Sequence, residues 1–170
     1  MKRVYKRWIL RLLPQVPAYR WLIGDLVRRR RKAGVSAIDY EPSTPREGLR
    51  VDTYWADVPG VGSGPTVALF VHDIEVLRAD CFGGGEGHMH LNPDEFRVLP
   101  DRVATRLFFP PGDRKSHVER AVFEVRANFQ YALLTSALPE VREFAVTDAE
   151  LDAVADQVEG RLCQLLQERG

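Results

Sequence analysis

TVALFVHDIEVLRADCFGGGEGHMHLN, residues 66–92, is the stretch on which the fold turns. Thr66 to Val71 and Ile74 to Phe82 are rich in β-branched and apolar residues, and His72-Asp73 between them reads as the bend of a hairpin. The glycine-rich segment Gly83 to Gly87 is a turn, and Gly87 to Leu91 reads as a further short strand. Within that strand His88 and His90 are one residue apart. Side chains on a strand repeat every second residue, so both imidazoles project from one side. That geometry can hold a metal, and it is also an ordinary way to fill a sheet face.

Working outward, Leu49 to Val58 reads as a strand closed by the loop Pro59 to Gly64, and Asn92-Pro93-Asp94 as a turn. Val103 to Phe109 is a further strand, stopped by Pro110-Pro111-Gly112. The apolar period then changes from two to 3.6. Ser116 with Glu119 forms a capping box, and Val118, Val122, Val125, Phe129 and Leu133 make one stripe, predicting a helix over about 117–136. Val141 to Val146 is expected to be a short strand. Thr147 and Glu150 form a second capping box, before a helix striped by Leu151, Val154, Val158, Leu162 and Leu165, with Gly160 a weak point inside it. Strands first and helices after, joined by hairpin-length connections, predict α+β: a mostly antiparallel sheet with two C-terminal helices packed on one face.

The net charge of the 170 residues is zero, but it is divided. Residues 1–34 carry eleven Lys or Arg and one acid, whereas residues 35–170 carry thirteen basic and twenty-three acidic side chains. A basic arm is therefore attached to an acidic body, which points to partners of opposite sign. In residues 2–13, Val4, Trp8, Leu12, Tyr5 and Ile9 fall on one side of a helix, with Lys2, Arg3, Lys6, Arg7 and Arg11 around the other. Tyr19 to Lys32 carries Trp21, Leu22, Leu26 and Val27 and ends in Arg28, Arg29, Arg30, Arg31 and Lys32. Such a helical arm, with aromatic residues at its apolar edge, suits docking on an anionic membrane surface or on an acidic face of a protein complex. It would equally serve as a solvated helix packed on its own domain. Residues 35–48, with Pro42, Ser43, Thr44, Pro45 and Gly48, read as a linker, and 49–170 as a single domain.

Cys81 and Cys163 have no metal-type spacing and read as reduced, core-like thiols. The first apolar run is broken by Arg11 and Pro14, which argues against a secretory signal, and no window approaches the ~20 residues that span a bilayer. A cytoplasmic protein, peripheral at most on the inner face of a membrane, is expected.

All four histidines, His72, His88, His90 and His117, lie in the sheet-forming middle of the chain. For a divalent metal such as Zn, Fe or Mn, His88 and His90 would supply two imidazole nitrogens, Glu95 or Glu86 a carboxylate and His117 a third imidazole. Gly83 to Gly87 could cradle an anion through its amides, but it leads into a strand, not a helix, so a tight hairpin connection is expected. Arg120 and Glu124 stand at i, i+4 and can pair. Arg120, Arg126 and Asn128 would then form either an acidic-ligand surface or a salt-bridged helix face. Cys81 sits in an apolar strand, where burial raises a thiol pKa, and no G-x-S-x-G, H-E-x-x-H or C-x-x-C pattern occurs.

Two resemblances attach to these residues. His88-Met-His90 with Glu95 resembles the H-x-H-x(4)-E element of the cupin family, and Pro110-Pro-Gly112 with His117 loosely echoes that family's second motif. The likeness implies metal ligands in a small β-barrel. The sequence departs from it at Phe82, where a glycine leads the motif, and at Ala121, where an asparagine closes it. From about Pro65 to Leu166, the segments Gly87-His88-Met-His90 and Phe123-Glu-Val-Arg126-Ala-Asn128 resemble a bacterial family of small domains of unknown function with G-H-x-H and F-E-x-R-x-N motifs. That likeness implies an α+β domain and no activity.

The first functional expectation is a non-catalytic accessory module without cofactor, docked through its arm on a membrane or a protein assembly. Self-association is a further open partner, and nucleic acid is disfavoured because the acidic body would repel it. The second expectation is a metal-binding protein or metal-dependent enzyme built on the His-Met-His segment.

Overall fold

The structure, a computed structural model, describes residues 36–95 and 105–170. The basic arm, with Lys2, Arg3, Lys6, Arg7, Trp8, Arg11, Trp21 and Arg28 to Lys32, lies outside the described residues. Six strands, β1 (Ser36–Arg46), β2 (Leu49–Val58), β3 (Gly62–Val71), β4 (Ile74–Asp80), β5 (His88–Leu91) and β6 (Thr105–Phe108), form one sheet. They follow chain order, each antiparallel to the next, as a meander. Three helices follow: α1 (Arg114–Thr135), the one-turn α2 (Pro139–Arg142) and α3 (Asp148–Arg169). The chain is thus α+β, and the helices are laid on one face of an antiparallel sheet.

The apolar residues of β3 explain its place at the centre. Val67, Leu69 and Val71 enter the core beneath the helices, while Thr66, Ala68 and Phe70 are buried on the opposite face. Its partners keep the alternation in register: Val51 opposes Leu69, Leu77 opposes Leu69 from the other side, and Ala79 opposes Met89. The expected stripes of α1 and α3 are both buried, with Phe129, Val158, Leu162 and Leu165 fully so. His72 and Asp73 join β3 to β4 in a two-residue loop, both at positive φ (48° and 66°), the twist a tight hairpin requires.

Three local differences from the sequence reading have physical causes. Residues 36–46, expected within the linker, are strand β1, with register breaks after Ile38 and Ser43. Proline is tolerated at the edge of a sheet, where no ladder bond is lost. The strand is also fastened to α3 by Arg46–Glu150, Arg161–Glu41 and Arg169–Asp39 ion pairs. Secondly, α1 starts three residues early, because Asp113 is its N-cap and accepts from the Ser116 amide at 2.7 Å. Glu119 instead faces Lys115. Thirdly, Val141–Val146 is not a strand. Pro139 opens the short α2, from which Val141 packs into the core, and Phe144 packs there from the irregular backbone that follows. The Thr147–Glu150 capping box at α3 is present. Among the described residues, no helix is long and apolar enough to cross a membrane.

Candidate metal centre

Strand pairing builds the site. Asp80 at the end of β4 lies opposite His88, and Arg78 lies opposite His90. Ala79 and Met89, between them, enter the core, so these four polar side chains share the sheet face turned away from α1 and α3. β6 extends the row, with Phe108 opposite His88 and Arg106 opposite His90.

Asp80, His88 and His90 are all buried, and each offers a ligand atom within 4.8 Å of the others. His88 Nε2 stands 3.2 Å and His90 Nε2 3.9 Å from the same oxygen, Asp80 Oδ2. The two rings meet edge to face, 4.9 Å between centroids. Donor atoms bound to one zinc at about 2.0–2.2 Å are separated by roughly 3–3.6 Å, a spacing that His88 Nε2 and Asp80 Oδ2 already have and that His90 Nε2 exceeds by a few tenths of an ångström from the same oxygen.

Hydrogen bonding prepares each ligand. His88 Nδ1 lies 2.6 Å from the carbonyl oxygen of Glu86. A carbonyl only accepts, so Nδ1 carries a proton, and the ring is held with its Nε2 facing Asp80 Oδ2. The 3.2 Å between Nε2 and the carboxylate oxygen is a separation that a shared proton or a cation bound to both atoms can fill. Metal-ligating histidines are commonly oriented this way, with the remote N–H on a backbone carbonyl.

His90 is 6% exposed, and neither ring nitrogen has a hydrogen-bond partner among the described residues. Burial, aided by the Arg78 guanidinium and opposed by Asp80, lowers its pKa to about 3. The ring is therefore neutral, the form that ligates metals. For Asp80, burial alone would raise the pKa, but the Arg78 guanidinium, followed by the His88 ring, outweighs it and brings the carboxyl to about 2. Its Oδ1 accepts from Thr66 Oγ1 at 3.0 Å and its Oδ2 from Arg78 Nε at 3.2 Å, which fixes the carboxylate.

The other expected ligands are placed elsewhere and are already engaged. His117, in the first turn of α1, accepts from the Gly83 amide through Nδ1 at 3.0 Å and donates from Nε2 to the Pro110 carbonyl at 3.0 Å. Its ring presses on Gly87, where an added Cβ would overlap it. Glu95 accepts from Ser136 Oγ at 2.5 Å and from the Ala137 amide at 2.8 Å, and so ties β5 to the end of α1. Glu86 is exposed and contributes its carbonyl, not its carboxylate, to the site.

The glycine loop is a clasp. Gly83 N–H is held by His117, Gly84 N–H by the Gly112 carbonyl at 2.6 Å, and Glu86 N–H by Gly83 O at 3.3 Å, so these amides are not free to cradle an anion. On α1, Arg120 pairs with the buried Glu124, and Arg126 with Asp152 and Asp156 of α3, giving a salt-bridged helix face. Cys81 is fully buried, which pushes its thiol pKa well up.

Asp80, the carboxylate that meets the histidines, is not singled out by sequence reasoning. Its signal was the antiparallel register, which places the last polar residue of β4 beside the first histidine of β5. A seven-residue connection leaves that register open until the clasp is known.

Fold and site together define an α+β protein with a buried Asp-His-His cluster on the sheet face opposite its helices. Compared with protein-family models, with curated proteins and with solved structures, the chain matches none.

Proposed function

We propose that the chain is a metal-binding protein in which Asp80, His88 and His90 hold one divalent cation such as zinc, iron or manganese. The observation that carries this reading is His90: a neutral, buried imidazole with neither nitrogen hydrogen-bonded among the described residues, beside an ionised carboxylate and a second, pre-oriented imidazole. An unpartnered buried polar group costs about 1–3 kcal/mol, and a bound cation would offset that cost. Two imidazoles and one carboxylate suit zinc, iron and manganese alike. Three protein ligands leave at least one coordination position for water or a substrate, the arrangement of catalytic sites.

Metal content of the purified full chain tests the proposal, with His88→Ala/His90→Ala and Asp80→Asn variants beside it. One metal per chain, lost in both variants, is expected. A folded wild-type chain that takes up no divalent metal from solution would overturn it.

The division of charge supports a second reading, in which the basic residues 1–34 dock the domain on an anionic membrane or an acidic protein face. Deleting residues 1–34 is expected to abolish partitioning onto anionic vesicles, or assembly with a protein partner, and to leave the domain folded. Unchanged partitioning and assembly would count against the arm.

A further inference from the structure

Arg78 of β4, His90 of β5 and Arg106 of β6 form one cross-strand row, because each pair is directly opposed in the register. The two arginines differ in what they are free to do. Arg78 is committed: its Nε donates to Asp80 Oδ2 at 3.2 Å and its Nη1 lies 3.7 Å from Glu75 Oε1. Arg106 is exposed and has no carboxylate partner among the described residues; its guanidinium lies 5.9 Å from the Phe108 ring.

Of the described residues on this row, Asp80 and Glu75 are paired with Arg78, and Arg106 stands opposite His90, so the formal charges of these four cancel. A divalent cation adds two positive charges in a buried setting, where uncompensated charge is costly. Arg106, exposed and directly opposite His90, adds donors on the same sheet face that no carboxylate among the described residues takes up. Phe108, 59% exposed and opposite His88, adds an apolar wall at the same edge.

We infer that the metal site takes an oxyanion, a carboxylate or phosphate group bound jointly by the metal and by the guanidinium of Arg106. This rests on the metal reading above and names the substrate class of that site. Arg106 is well suited to the role, since a planar guanidinium pairs with such oxygens through two parallel N–H bonds. Arg78 acts at one remove, as a positioning residue that holds Asp80.

The full chain loaded with Co²⁺ reads both layers, because cobalt absorption reports the metal and its ligands. Inorganic phosphate and acetate are titrated separately. A saturable shift of the cobalt bands by either anion is expected, and the one that shifts them names the class. Arg106→Gln should keep the cobalt spectrum and weaken that anion about tenfold or more, and Arg106→Lys should restore part of the affinity. Cobalt bands that neither anion moves, or an affinity unchanged in Arg106→Gln, would overturn the oxyanion inference and leave the metal site standing. Failure of cobalt to bind at all would instead overturn the metal reading, and this inference with it.

Discussion

His117 and His90 are both buried imidazoles near the glycine turn, and they are opposites. Both nitrogens of His117 are used by backbone groups, one accepting from Gly83 and the other donating to Pro110. Neither nitrogen of His90 has a hydrogen-bond partner among the described residues. The first arrangement locks a loop to a helix and leaves nothing over for a ligand. The second leaves both nitrogens unengaged, with Nε2 3.9 Å from a carboxylate oxygen and the ring edge to face with another imidazole. The contrast shows that residue type and burial do not distinguish a structural histidine from a binding one, whereas the accounting of donors and acceptors does.

The contrast can be broken first at the clasp. His117→Ala leaves the Gly83 amide and the Pro110 carbonyl unpaired and opens a cavity, so a loss of about 2–4 kcal/mol in chemical denaturation is expected. Gly87→Ala should act in the same direction, through overlap with the ring. If His117→Ala leaves stability unchanged, the clasp is not holding the turn.

Metal should sharpen the other side of the comparison. Zinc at about 100 times its Kd should stabilise the wild-type chain by about 2.7 kcal/mol, a rise in Tm of roughly 5–10 °C. The rise should vanish in His88→Ala/His90→Ala. Without metal, His90→Leu should cost less than about 1 kcal/mol or even stabilise the fold, since it removes an unpaired polar group at modest change of volume. A large loss there, comparable to that of His117→Ala, would mean that His90 is structural. Gly160→Ala touches neither region. It lies inside α3 with open space around an added Cβ, and should gain about 0.5–1 kcal/mol while leaving metal uptake unaltered.

Acid acts at a third place. Hydrogen bonds from the Thr147 backbone and from Arg46 lower the Glu150 pKa from 4.5 to about 2. The stabilisation of the α3 cap and of the β1 tether is therefore present above pH 4.5 and is lost as pH falls towards 2. In Glu150→Gln this part of the acid dependence should be missing from a denaturation series across that range.

Much of the fold was legible because its periods are strong. The alternation in Leu49 to Val58, the apolar run of β3 and the stripes of α1 and α3 are each set by one-sided or two-sided burial, which a sequence displays directly. β1 was not legible, because Pro42 and Pro45 read as loop unless the strand is known to lie at a sheet edge. For the site, the shared face of His88 and His90 follows from period two alone. Asp80 and Arg106 do not, since they reach the histidines only through register across two connections. His117 and Glu95 have ligand-like residue types, but their partners are backbone groups, about which a sequence says little.

X-ray absorption at the zinc edge of the full chain loaded with one zinc per molecule tests the central claim most directly. The account predicts a shell of nitrogen and oxygen neighbours at about 2.0–2.1 Å, outer scattering from two imidazoles and no sulfur, and loss of that signature in His90→Ala. Sulfur in the first shell, or a signature unchanged in His90→Ala, would place the metal elsewhere and contradict it.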